Sequence, residues 1–156
     1  MAKGTTKRAI KRADGPFLAM ALICEKVLEE KSGLLTPVRV IDRMMINLGR
    51  GAQWPQPVPV PHHVVIGLKS GAARGSYAIS LKLEGPDGQP AAPEMKFPVL
   101  FEGEDRGVNL VLQMAFVPKL EGLYWYDVCL DGKLLTRIPL RIVVQQVSIG
   151  PQPQSE

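Results

Sequence analysis

The chain has 156 residues, 46% of them hydrophobic and 22% charged, which is the length of one domain able to bury about two-thirds of its unfolded surface. No segment approaches the ~18 apolar residues needed to span a bilayer. Of the 19 basic and 15 acidic residues, Lys3, Lys7, Arg8, Lys11 and Arg12 precede a single acid, Asp14, and setting these aside leaves the two signs equal in number. The net charge of +4 therefore belongs to a tail, and a broadly basic binding face is excluded.

Residues 1–15 hold too few apolar side chains to pack and read as a flexible basic arm. The plain use of such an arm is solubility. Its alternative use is weak, sequence-independent binding of nucleic acid through Lys3, Lys7, Arg8, Lys11 and Arg12, because no aromatic residue is interleaved to stack on bases.

Phe17 to Ile23 is apolar and follows this positive region, but it is short, Glu25 and Lys26 come directly after Cys24, and no small-residue cleavage site is present. Neither an export signal nor a lipoprotein signal is expected. Phe17, Met20, Ala21, Cys24, Val27 and Leu28 fit one face of a helix, yet the same stretch fits a buried strand. In the second case Glu29 to Gly33 turns and Leu34 to Ile46 returns as the hairpin partner.

Gly49 to Pro57 is a Gly/Pro loop that carries Arg50 and Trp54. Val58, Val60, His62, Val64, Ile66 and Leu68 then alternate, and because Pro59 and Pro61 lack the N–H that a central ladder needs, this strand is expected to begin at an edge. A further strand opens at Arg74-Gly75, with Tyr77, Ile79, Leu81 and Leu83 facing inward. Gly85 to Pro90 is a turn. Met95 to Phe101 is a short strand interrupted by Pro98, and Glu102, Glu104 and Asp105 read as the solvated end of a hairpin. Val108, Leu110, Leu112, Met114 and Phe116 form another inward face.

The closing hairpin is the clearest element. Tyr124, Tyr126, Val128 and Leu130 alternate before Asp131-Gly132, and Leu134, Ile138, Leu140, Ile142 and Val144 alternate after it, as paired half-buried strands do. Tyr124 follows Pro118 and Gly122 at the start of a late strand, the position of the corner tyrosine in Greek-key sandwiches. About seven or eight short strands without βαβ alternation predict an all-β, antiparallel, immunoglobulin-like β-sandwich over residues 16–148, followed by a flexible tail at 149–156.

Two stretches together resemble a known family. Ala21-Leu-Ile-Cys-Glu-Lys-Val27 with Lys31-Ser-Gly-Leu-Leu-Thr-Pro-Val-Arg-Val-Ile-Asp42, and later Gly122-Leu-Tyr124, Asp131-Gly132 and Ile138 to Val144, are similar to a family of small bacterial proteins of unknown function. The resemblance implies an immunoglobulin-like sandwich over most of residues 17–147 and tips the first segment from helix to strand. It brings no catalytic residues with it.

Little in the chain points to chemistry. His62 and His63 are adjacent on a strand and face opposite ways, so they do not form one metal site. Cys24 and Cys129 lie in apolar runs as packed, free thiols, and a reducing cytoplasm is the expected setting. There is no Gly-x-Ser-x-Gly and no phosphate loop. The expectation is a non-enzymatic, cytoplasmic binding or assembly module without metal or cofactor. Its partner is another protein of unknown identity, with nucleic acid as the weaker alternative and no membrane. Sandwich end loops or an edge strand, either the Val58 strand or the terminal Ile138 to Val147 strand, would do the recognition. The candidate contact residues are Arg50 and Trp54 in the loop, and Trp125, Arg137 and Arg141 on the outer face of the hairpin, where an outward Trp is either a hot spot or a platform for an arginine.

Overall fold

Alternating apolar residues make every regular element among the described residues a strand. The structure, a computed structural model, describes residues 14–148, so the basic positions Lys3, Lys7, Arg8, Lys11 and Arg12 and the tail 149–156 lie outside it. In chain order the strands are β1 (Phe17–Glu29), β2 (Leu35–Val40), β3 (Arg43–Leu48), β4 (Val60–Glu84), β5 (Met95–Phe116), β6 (Gly122–Leu130) and β7 (Lys133–Gln146). The segment that fits either helix or strand is β1, and it pairs antiparallel with β2 and with β4.

Among the described residues all ladders are antiparallel except one, in which β3 runs parallel to β7. The hydrogen-bonded order is β2-β1-β4-β6-β7-β3, with β5 on the remaining side of β4. The first half of β4, His63 to Lys69, pairs with β1, and its second half, Ile79 to Glu84, pairs with β6. β5 accompanies both halves, from Val60↔Phe116 to Leu81↔Met95.

The sheet folds over on itself to form two facing layers. His62 and Leu83 both belong to β4, and a straight strand would separate them by about 70 Å at ~3.3 Å per residue. Yet Tyr126, the β6 partner of Leu83, lies 2.8 Å from the His62 ring. The bend is at Lys69 to Arg74, where the register with β5 shifts twice and Gly71 and Gly75 take φ of 57° and 102°. Val64, Ile66 and Leu68 of one layer and Ile79, Leu81, Tyr126, Val128, Leu140 and Ile142 of the other close the core between them. This is an immunoglobulin-like β-sandwich of seven strands.

Several expectations need correction. The stretches read as separate strands at Val58 to Leu68 and Arg74 to Glu84 are one strand, as are Met95 to Phe101 and Val108 to Phe116, while Leu34 to Ile46 divides into β2 and β3. Glu102, Glu104 and Asp105 therefore sit at the bend of β5 rather than at a hairpin end, where Arg106 lies 3.0 Å from Glu102 and Arg74 3.9 Å from Glu104. The Val58 strand does begin at an edge, since Val60 to His62 have only β5 alongside, but neither expected strand is an edge along its whole length. β4 is the hub of the sheet, and β7 is flanked by β6 and β3. Pro61 fits inside β4 because it lies beyond the last β1 partner, Cys24↔His63, where only β5 is alongside. Leu134, expected inward, is exposed, and Leu135 packs against the core instead, because a bulge at Val128/Cys129 shifts the register of the closing hairpin.

Candidate functional site

The outer face of the closing hairpin brings together part of the expected cluster. Asp131-Gly132 takes φ of 45° and 80°, the positive pair of a type I′ turn, and the bulge that follows sets Asp127 opposite Arg137 and Trp125 opposite Pro139. Arg137 Nε donates to Asp127 Oδ1 at 2.6 Å, and its Nη2 donates to Glu84 Oε1 at 3.3 Å. The guanidinium carbon stands 5.2 Å from the centre of the Trp125 ring. The Asp127 hydrogen bond, more than any other contact, holds the Arg137 pKa above its ordinary value. Trp125 thus serves as the platform on which an arginine with two acidic partners rests. Arg141 does not join this group; it pairs with Leu123 and Arg43, and its N–H donates to the Asp42 carbonyl at 2.7 Å. An open depression of about 390 Å³ beside Asp127 is lined by Lys82, Glu84 and Glu94. Its one cation, Lys82, lies 3.9 Å from Glu94.

Arg50 and Trp54 sit elsewhere, in the loop before β4, whose Ala52 carbonyl accepts from Gln146 Nε2 at 3.2 Å. Arg50 is exposed. The Trp54 ring is half-buried, with its Nε1 buried and without a hydrogen-bond partner among the described residues.

Two buried polar groups are structural. His62 is 1% exposed, and its Nδ1 faces the Val60 carbonyl at 3.0 Å, which fixes the tautomer: Nδ1–H donates, and Nε2 accepts from the Tyr126 hydroxyl at 2.8 Å. Burial lowers the His62 pKa and raises that of Tyr126. The Tyr124 hydroxyl donates to the Leu120 carbonyl at 2.8 Å, four residues upstream, so Tyr124 is the corner tyrosine that its position predicts. His63 faces the opposite way and its ring nitrogen meets the Glu25 carbonyl at 3.0 Å. Cys24 and Cys129 are buried free thiols, and burial raises the Cys24 pKa. Among the described residues no three His, Cys, Asp or Glu side chains gather in a metal-holding group.

The feature that sequence reasoning missed is the free side of β5. Among the described residues β5 pairs with β4 alone, so the whole of Met95–Phe116 presents an unpaired side. Its first half carries Lys96, Pro98 and Glu102, the residues that protect an edge from pairing. The two strands that end the order are short: β2 has six residues including Pro37 and Arg39, the latter at φ 55°, and β3 has six starting at Arg43. The nine residues Val108-Asn-Leu-Val-Leu-Gln-Met-Ala-Phe116 carry no charge and no proline. Val108, Leu110, Leu112 and Val111 are only half-buried there, the first three on the core side and Val111 on the outside. The absence of charge and proline over nine strand residues was visible in the sequence; that they lie at an edge was not.

A model of a family of unknown function (DUF6941) matches residues 19–143, and the chain belongs to that family, as the resemblance in its sequence implies. No curated protein matches it. Three solved structures are similar in part. A glycosyl hydrolase family 2 member from Bacteroides cellulosilyticus DSM 14838 is 16% identical with a TM-score of 0.41 over 55% of this chain and 13% of that one. The alkylpurine DNA glycosylase AlkC of Pseudomonas fluorescens, bound to DNA containing an abasic site analog, is 11% identical with a TM-score of 0.44 over 79% and 30%. An immunoglobulin-like protein of Pseudomonas aeruginosa is 18% identical with a TM-score of 0.37 over 80% and 97%. The chain thus spans less than a third of the first two proteins and nearly all of the third.

Proposed function

We propose that this chain is a non-enzymatic binding or assembly module that recognises a protein partner by strand addition along β5. The observation that carries this reading is the nine-residue stretch Val108 to Phe116, unpaired on one side among the described residues and free of charge and proline. Backbone N–H and C=O groups along such an edge supply binding free energy that does not depend on sequence, and half-buried apolar side chains on both faces supply selectivity.

The polar geometry elsewhere supports the same choice. Arg137 is already engaged by Asp127 and Glu84, and His62 and Tyr126 spend their hydrogen bonds on each other and on Val60. None of these groups is placed as a base beside a nucleophile.

The test is recovery of a stoichiometric partner by the tagged full-length chain, followed by mass spectrometry. Loss of that partner in V111K/Q113K, which charges the free edge, with retention in R50A/W54A, is the expected pattern. Retention in the first variant and loss in the second would move the site to the loop before β4.

A further inference from the structure

We infer that the segment received by the β5 edge is the same edge of a second copy, so that two chains join antiparallel about a two-fold axis at Leu112. This rests on the strand-addition reading above and names its partner.

The direction of the backbone groups comes from Pro61. It has no N–H, and it stands opposite Ala115 in the β4–β5 ladder. A proline fits where the pair does not exchange ladder bonds, so Ala115 turns its own N–H and C=O to the free side. By the period of two, Gln113, Val111 and Asn109 do the same.

Antiparallel pairing about Leu112 matches these outward groups with one another. Val111 meets Gln113 of the second copy and Asn109 meets Ala115, both as hydrogen-bonded pairs, while Leu112 lies opposite itself. On the core side Leu110 meets Met114 and Val108 meets Phe116, so apolar residues extend the sandwich core across the junction. No like charges meet within the nine residues.

The experiment is sedimentation of the full-length chain across a wide concentration range, with circular dichroism to confirm that each variant is folded. The wild type is expected to reach twice the chain mass. V111K/Q113K, which sets Lys against Lys at the junction, should raise the dissociation constant by at least ~10-fold. V111K/Q113E, which sets Lys against Glu at the junction, should keep the wild-type value, a rescue that a mere loss of folding cannot give. A wild type that stays monomeric at millimolar concentration overturns the second-copy inference. If V111K/Q113K still abolishes capture of a different protein by that monomer, strand addition survives it. A dimer indifferent to V111K/Q113K overturns the β5 register itself.

Discussion

Asp131 and Ala78 are joined by two hydrogen bonds: Asp131 Oδ1 accepts the Ala78 N–H at 2.8 Å, and the Asp131 N–H donates to the Ala78 carbonyl at 2.8 Å. The turn residue of the closing hairpin thereby continues the β4–β6 ladder one step past Leu130, tying a local turn to the strand at the centre of the sheet.

Asp131→Ala should therefore cost about 1–3 kcal/mol, from loss of a charge-assisted bond together with the φ of 45° that alanine resists. Asp131→Asn keeps an acceptor and tolerates that conformation, so its cost should be under about 1 kcal/mol. Urea unfolding of both variants decides the matter, and equal effects would refute the bond to Ala78 as the cause.

Tyr124→Phe removes only the hydroxyl that donates to the Leu120 carbonyl. The expected loss is about 1 kcal/mol, with the fold retained. An unchanged midpoint in chemical denaturation would show that the corner bond contributes nothing.

His62 predicts a dependence on acid. Burial lowers its folded pKa, so between the folded value and the unfolded value near 6.5 the unfolded chain binds the extra proton. His62 contributes fully above that range, and stability falls as pH drops through it, by up to about 1.4 kcal/mol per pH unit. H62Q, less stable overall, should lose this component while H63Q keeps it. Parallel slopes for the wild type and H62Q across pH 7.5, 6 and 5 would argue against it.

Gly71 cannot accept a side chain. Its φ is 57°, and a Cβ would stand 2.7 Å from the Asp14 carbonyl and 2.6 Å from the Phe17 ring. Gly71→Ala should destabilise by at least about 2 kcal/mol. Gly88, with a φ of 74° and open space around it, isolates the backbone share, so Gly88→Ala should cost only about 1 kcal/mol. Thermal melts of the pair give the comparison, and equal costs would refute the crowding.

The thiols should be slow to react. Cys24 is fully buried with its pKa raised by desolvation, and Cys129 is 7% exposed. Ellman's reagent should label neither promptly in the native chain and both in guanidinium. Rapid native labelling of Cys24 would contradict the packing of β1 on β4.

Local chemistry was readable in the sequence wherever it acted over a few residues. Tyr124 before its strand, the Asp131-Gly132 turn, and the opposed faces of His62 and His63 all follow from short-range sterics and a period of two. What failed was anything set by distant pairing. Pro61 reports which side of β4 is open over three residues, not where β4 lies in the sheet. Arg74-Gly75 reads as the opening of a new strand because a glycine with positive φ usually lies between strands; here β5 bends alongside and the ladder continues. Leu134 and Leu135 exchanged roles because a bulge adds one residue, and a shift of one reverses every face. The parallel β3–β7 ladder and the free side of β5 involve strands with no shared turn, so no local pattern could carry them.

The bend in β4 has a mechanical consequence. Because β4 and β5 each run unbroken through both layers, no flexible connector between those layers exists along this path, and prying the layers apart must tear the ladder at Lys69 to Arg74. Loss of order should therefore spread through both layers together, giving one sharp calorimetric peak instead of a stepwise melt.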